Sequence, residues 1–283
     1  MRFSKLIAPL ADRFLAEPAP EARTRPGHPE GPNTIAVIGG GGKTSVLRRL
    51  EMELSEAHLP VITTVTTRLG SRELPTLTPV RAEDPDQVLA AARRALAGER
   101  LLLFGPERPD DRGHGTHSGL PPDWLAEARE LAGPELTWLV EADGSKGRPL
   151  KAHREGEPVF PPPPYYCLLV IGLTALTLPW PEALHRPETF YGRLPLPTTP
   201  RTLRPTEISI YAASAYRPLK PDLIYLNQTD ALTGGHFSSG RQLAHLLSQA
   251  GFRVACGSLK NGLFLDWTLE HPHSVRTPDD RVP

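Results

Sequence analysis

Four glycines followed by a lysine and a hydroxyl, Gly39-Gly40-Gly41-Gly42-Lys43-Thr44, are the residues whose types and order most narrow the chemistry of this chain. They follow an apolar run, Ile35-Ala36-Val37-Ile38, and open a segment with helical spacing. Strand, glycine loop, Lys-Thr and helix together wrap a polyphosphate in backbone N–H groups. Gly39 through Ser45 are then the expected nucleotide-binding stretch, with Lys43 on the terminal phosphates and the Thr44 hydroxyl on Mg²⁺. The glycines let the main chain approach without a Cβ in the way. Val37 stands where the long pattern G-x-x-x-x-G-K-[ST] carries its first glycine, so the shorter G-x-x-G-K-T form is present. A ligand-free glycine turn is the alternative, and it leaves the Lys-Thr pair unexplained.

A polyphosphate site also needs acidic groups at the carboxyl end of a neighbouring strand. Leu136-Thr137-Trp138-Leu139-Val140-Glu141-Ala142-Asp143-Gly144 supplies them. Residues two apart in an extended chain point the same way, so Glu141 and Asp143 can face the phosphates together. Asp143 is the expected Mg²⁺ ligand, direct or through water, and Glu141 orients a water or a substrate group. The other reading makes Asp143-Gly144 a hairpin turn. Lys146 and Arg148 follow in a flexible stretch and suit phosphates or an anionic substrate, although a solvated loop has the same composition. Of the threonines in Thr63-Thr64-Val65-Thr66-Thr67, the last pair ends a strand, and Thr67 is assigned to the metal.

Near the other end, Leu223-Ile224-Tyr225-Leu226 leads into Asn227-Gln228-Thr229-Asp230. Asn227 and Asp230 are the outer members of a guanine-reading N-K-x-D pattern, with Gln228 in place of its lysine. The base contact is expected from them, the choice between GTP and ATP stays open, and a polar helix cap is the competing reading. Cys256-Gly257-Ser258-Leu259-Lys260 weakly echoes a loop that closes over a guanine. His114 and His117 lack the partners of a zinc site. His153, His185 and Arg186 lie in loops that suit covering a substrate.

These residues need a scaffold, and the pattern supplies one. Apolar runs at Thr34–Ile38, Val61–Val65, Leu101–Phe104, Leu136–Val140, Cys167–Ile171, Leu223–Leu226 and Phe252–Ala255 are continuous rather than alternating, as in strands buried on both faces. Helical spacing falls between them at Thr44–Ala57, Pro85–Leu96, Pro122–Leu131 and Gly240–Ala250. The expectation is a three-layer, P-loop NTPase-like α/β domain over 34–257, its mostly parallel sheet carrying helices on both faces. Before it come an amphipathic helix over 1–16 and a Pro/Gly-rich linker to residue 33. A tail over 258–283 follows.

Composition excludes several classes. In 283 residues, 32 basic and 32 acidic side chains cancel, so no broad electrostatic footprint for nucleic acid or membrane is expected. No apolar run reaches the length of a membrane span. Two distant cysteines, Cys167 and Cys256, give neither a disulfide framework nor a metal pattern and fit a reducing cytoplasm.

With those segments in place, the chain resembles the YqeC family, described as selenium cofactor biosynthesis proteins or selenium-dependent hydroxylase accessory proteins. The resemblance rests on Val37–Thr44, the Thr63–Thr67 cluster, Val170-Ile171-Gly172-Leu173, His185-Arg186-Pro187-Glu188 and Asn227–Asp230. Its most specific stretch is Glu141-Ala142-Asp143-Gly144-Ser145-Lys146-Gly147-Arg148-Pro149-Leu150-Lys151-Ala152-His153. Gly40 departs from it, since the family more often carries alanine there, an exchange expected to be harmless. The resemblance implies a cytoplasmic nucleotide-binding protein serving maturation of selenium-dependent molybdenum hydroxylases, with such a hydroxylase or a cofactor-maturation protein as client. An NTP hydrolase is the leading expectation. An ATP-dependent small-molecule kinase or ligase, or a nucleotide-sensing scaffold, are the alternatives.

Overall fold

A computed structural model gives the structure of the chain over residues 33–68, 77–109, 115–195 and 198–265. The helix expected over 1–16, the linker up to residue 32 and the tail after 265 lie outside the described residues, as does His114. Nine strands form one sheet: β1 (Thr34–Gly39), β2 (Val61–Val65), β3 (Thr78–Arg81), β4 (Leu101–Phe104), β7 (Thr137–Glu141), β9 (Tyr166–Gly172), β11 (Leu223–Asn227), β12 (Val254–Ser258) and β13 (Leu263–Leu265). Two small pairs accompany it: β5 (Glu107–Pro109) with β6 (Gly115–His117), and β8 (Leu150–Lys151) with β10 (Leu184–His185). The order across the sheet is β13-β12-β11-β9-β1-β7-β2-β4-β3, with eight strands parallel and β13 antiparallel at one edge. The sheet thus continues beyond residue 257, the expected end of the domain.

Helices α1 (Lys43–Glu56), α2 (Pro85–Leu96), α3 (Pro122–Ala132), α6 (Pro205–Ala215) and α7 (Gly235–Gln249) cover the sheet, and two short helices, α4 (Trp180–Ala183) and α5 (Pro187–Tyr191), lie between. Alternation along the strands assigns the faces. Ile35, Val37, Leu139, Leu168 and Val170 pack with Val46, Leu47 and Leu50 of α1. Their neighbours Ile38, Leu169, Ile171, Ile224 and Leu226 pack with Tyr211 and Ala212 of α6 and Leu243 and Leu247 of α7. Trp138 and Val140 meet Val88, Ala91 and Ala92 of α2 and Leu125 of α3. The sheet is therefore a middle layer between helices, as the continuous apolar runs require.

Several elements escape sequence pattern, β3 and α6 among them. β3 contains Pro79, which an edge strand accepts because one side makes no ladder bonds. In α6 buried Ile208, Tyr211 and Ala212 are interleaved with exposed Ile210, which blurs the helical stripe.

The topology also forms a crevice at one end of the sheet. From β1 the chain runs through α1 toward β7 and β2, whereas from β9 it runs through α6 and α7 toward β11 and β12. The crevice beyond the carboxyl ends of β1 and β9 is the switch point at which open α/β sheets bind ligands. Among the described residues no helix is long and apolar enough to cross a membrane.

Candidate functional site

The glycine loop leaves β1 at this crevice. Gly41 has φ +79, and a Cβ on it would stand 2.2 Å from the Gly172 Cα of β9, so the two main chains touch. The loop is tied on every side: Gly40 N–H donates to the Val170 carbonyl (2.9 Å), Gly41 N–H to the Arg148 carbonyl (3.0 Å) and Gly39 N–H to Asp143 Oδ2 (2.8 Å). The Asn227 amide donates to the Gly41 carbonyl (2.8 Å). Gly42 is the N-cap of α1, with no side-chain cap bond, so the first-turn amides from Lys43 onward have no intrahelical acceptor and face the loop mouth. Such a helix start attracts anions through its N–H groups and its dipole.

A Cβ at Gly40 would lie 2.4 Å from the Arg148 carbonyl oxygen. The exchange with alanine expected to be harmless is therefore not so in this chain, because backbone at 148–149 has to shift.

Lys43, Thr44, Glu141 and Asp143 converge as the motifs imply. Lys43 Nζ lies 3.1 Å from Asp143 Oδ1 and 3.5 Å from Glu141 Oε1, and donates to the Gly39 carbonyl (2.9 Å) and Ser145 Oγ (3.3 Å). The Thr44 hydroxyl donates to Glu141 Oε2 at 3.3 Å. Burial works to lower the Lys43 pKa, but Asp143 and Glu141 overcome it and the ammonium is held above its ordinary value. Asp143 is 0% exposed. Burial pushes its carboxyl up, yet Lys43, the His153 hydrogen bond and Lys151 together hold it far below the usual carboxylate range. Asp143 thus stands behind the loop, with Oδ2 on Gly39 N–H and on His153 Nε2 (2.5 Å), while Glu141 is the more open of the two acids.

Beyond Asp143 lies an ion network that motif spacing did not foretell. Lys151, fully buried, pairs with Glu157 at 2.9 Å, donates to the Gly144 carbonyl at 2.5 Å and stands 3.9 Å from Asp143 Oδ2. Arg186 also bonds Glu157, at 2.5 Å. Burial lowers the Lys151 pKa against the pull of Asp143 and Glu157. Burial raises that of Glu157, but Arg186 and Lys151 bring it below normal. His185, on the short strand beside Lys151, is pushed down to about 4 by burial and by Lys151, Arg186 and Lys146. Of the residues expected to meet a substrate, His153 and Arg186 are thus engaged within the protein. Arg148 bonds the Glu182 carbonyl at 2.5 Å, and Lys146 is exposed. Lys151, Glu157 and Ser145 were missed as site residues. The signal for Lys151 and Ser145 lay in the Glu141–His153 stretch itself, whereas Glu157 carried none.

Thr66 donates to the Val159 carbonyl (2.6 Å), so its hydroxyl is used in the scaffold, and Thr67 is half-buried where Gly119 packs against its backbone. Asn227 is buried and also accepts from Leu259 N–H at 3.4 Å, which joins the glycine loop to the segment after β12. Gln228 accepts from the Thr174 hydroxyl (2.7 Å) and Asp230 is exposed. Asn227 and Asp230 both line a cavity of about 490 Å³ that reaches Gly42 and Ser45 at the start of α1, with Arg48, Met52, Leu259 and Lys260 among its other walls. The cavity joins the loop mouth to the pair expected to read a base.

Among the described residues no group of three or more His, Cys, Asp or Glu forms a metal cage. A hard cation held by one carboxylate, one hydroxyl and phosphate oxygens needs none. Thr44 and Glu141, with oxygens 3.3 Å apart at the loop mouth, fit that donor set.

No curated protein matches the chain. Among solved structures it is similar to FtsY from Mycoplasma mycoides, with 15% identity, a TM-score of 0.36 and coverage of 94% of this chain and 74% of that one. It is also similar to the signal recognition particle 54 kDa protein from Aeropyrum pernix K1, determined with GDP. There identity is 16%, the TM-score 0.35, and coverage 87% of this chain and 46% of that one. The family model described as YqeC protein matches residues 35–188, more than half the chain, and runs from the glycine loop through the acidic segment to His185-Arg186-Pro187-Glu188. The chain belongs to the YqeC family.

Proposed function

We propose that the protein binds a nucleoside triphosphate with Mg²⁺, GTP or ATP, and hydrolyses it in selenium cofactor biosynthesis or in the maturation of selenium-dependent molybdenum hydroxylases. The observation that carries the nucleotide part is the loop geometry. An uncapped helix start, Lys43 and the Thr44–Glu141 pair meet at one mouth, at the sheet's switch point. The selenium part rests on the resemblance to the family.

In this reading the amides of the first turn of α1 take phosphate oxygens, and Lys43 turns from its carboxylates to the terminal phosphates. Thr44 and Glu141 would hold Mg²⁺, which when bound neutralises phosphate charge. Phosphoryl transfer asks little of the protein beyond placement and electrostatic support, and rigid loop ties to Val170, Arg148 and Asn227 suit that task. The base enters the cavity toward Asp230, whose carboxylate can accept from a guanine edge. Asn227 gives one amide hydrogen to Gly41 and keeps the other for the base.

The test is calorimetric titration of the wild type and of Lys43→Ala with Mg-GTP and Mg-ATP, followed by phosphate release. Wild-type binding that falls at least about tenfold in the variant is expected. Equal binding by both would refute the site, and a phosphorylated small product in place of free phosphate would favour the kinase or ligase alternative.

A further inference from the structure

Asp143 has more partners than a metal ligand needs. Gly39 N–H and Lys43 of the glycine loop, and Lys151 and His153 of the segment after Asp143, reach this one buried carboxylate from two sides. Under the nucleotide reading, on which this rests, only Lys43 is wanted elsewhere. A polyphosphate at the loop mouth competes for the Lys43 ammonium, which now lies against Asp143, Glu141 and the Gly39 carbonyl. A carboxylate with no exposure cannot be left without a cation, since an unpaired buried charge is strongly unfavourable.

The structure holds that replacement in place. Lys151 is 3.9 Å from Asp143, and its present partner Glu157 is also served by Arg186 and, at 3.4 Å, by Arg154. Glu157 therefore keeps a counter-ion if Lys151 leans toward Asp143. His153 Nε2, at 2.5 Å from Oδ2, fixes the carboxylate on the side away from Lys43.

We propose that His153 and Lys151 are positioning residues for nucleotide binding. They keep the Asp143 carboxylate on the Gly39 amide while Lys43 passes from Asp143 to the polyphosphate. Asp143 then stays behind the loop as its anchor in both states, and the metal falls to Thr44 and Glu141. His153 and Arg186 act inside the protein and touch no acceptor substrate.

Two experiments decide this. The first is a crystal structure of the wild-type protein with Mg²⁺ and a non-hydrolysable triphosphate analogue. The proposal expects Lys43 on phosphate, with Gly39 N–H and His153 still on Asp143. Asp143 leaving the Gly39 amide, to follow Lys43 or to ligate the metal, overturns it. The second is Mg-triphosphate titration of His153→Ala and His153→Gln. The alanine variant should bind about tenfold more weakly, the scale of one charge-assisted hydrogen bond. Glutamine, whose amide can still donate to Asp143, should stay within about threefold of wild type. Alanine binding like wild type, or glutamine as poor as alanine, overturns the proposal and leaves the nucleotide reading standing. Failure of the wild type to bind any triphosphate overturns both.

Discussion

Gly41 and Gly98 share a positive φ but differ in what surrounds them. A Cβ on Gly41 meets the Gly172 Cα at 2.2 Å and its nitrogen at 2.3 Å, whereas a Cβ on Gly98 meets nothing within 4 Å. Gly98→Ala should cost only the left-handed strain, about 1 kcal/mol. Gly41→Ala pushes backbone against backbone at the glycine loop, and about 3 kcal/mol or more is expected together with loss of the proposed nucleotide binding. Denaturant unfolding and titration of the two variants would check the contrast. Similar costs at both positions would mean that the Gly41 and Gly172 main chains can part without loss. His185 gives a second prediction at this scale. Its folded pKa of about 4 lies below the ordinary 6.5, so between those values the unfolded chain binds the extra proton. Stability should therefore fall as pH drops from about 6.5 toward 4, and His185→Gln should flatten that slope in thermal melts. The Asp143 contribution is lost lower still, since its carboxyl stays ionised well below its usual range. Sequence spacing was enough to bring Lys43, Thr44, Glu141 and Asp143 together, because each sits at a strand end or helix start whose position the apolar runs define. It could not reveal the Lys151–Glu157–Arg186 network, because that network depends on where β8 and β10 meet rather than on any local pattern.

The starts of α1 and α2 differ. α2 is capped by Asp84, whose Oδ1 accepts from Gln87 N–H at 2.9 Å, and Pro85 occupies its first turn. α1 begins on a bare glycine. A helix start that serves only stability gains from a side-chain acceptor, while one kept for an anion leaves its amides unmet. Asp84→Ala should lower stability by about 1 kcal/mol in denaturant unfolding and leave nucleotide affinity unchanged. A loss of affinity would mean that α2 supports the loop mouth in a way the fold does not suggest. Elements with a clean apolar period, α1, α2 and the central strands, were legible in sequence almost to the residue. β3 was hidden by Pro79 and β13 by its brevity, and both are edge strands, where burial on two faces no longer writes the pattern.

Across the whole molecule, the Asp143 carboxylate joins parts that the sheet holds in separate places. Through it the glycine loop between β1 and α1 is linked to the segment around Lys151 and His153. Through Asn227 the same loop is linked to β11 and to the segment after β12. A ligand on the loop should therefore tighten both sides of the crevice and leave the far edge, β3 and β4, unaffected. At a nucleotide concentration about 100-fold above the dissociation constant, binding adds about 2.7 kcal/mol to stability. For a domain of this size that raises the melting temperature by about 5–10 °C. Amide hydrogen exchange with and without Mg-triphosphate reads the distribution of that gain. Slowed exchange at Gly39–Ser45, Asp143–His153 and Leu226–Gln228, against unchanged exchange in β3, is the expected map. Protection confined to Gly39–Ser45 would mean that the loop binds its ligand without Asp143 or Asn227 transmitting anything. The ion network beyond Asp143 would then be scaffold alone, and a client sensing the bound state would have to read the loop mouth directly.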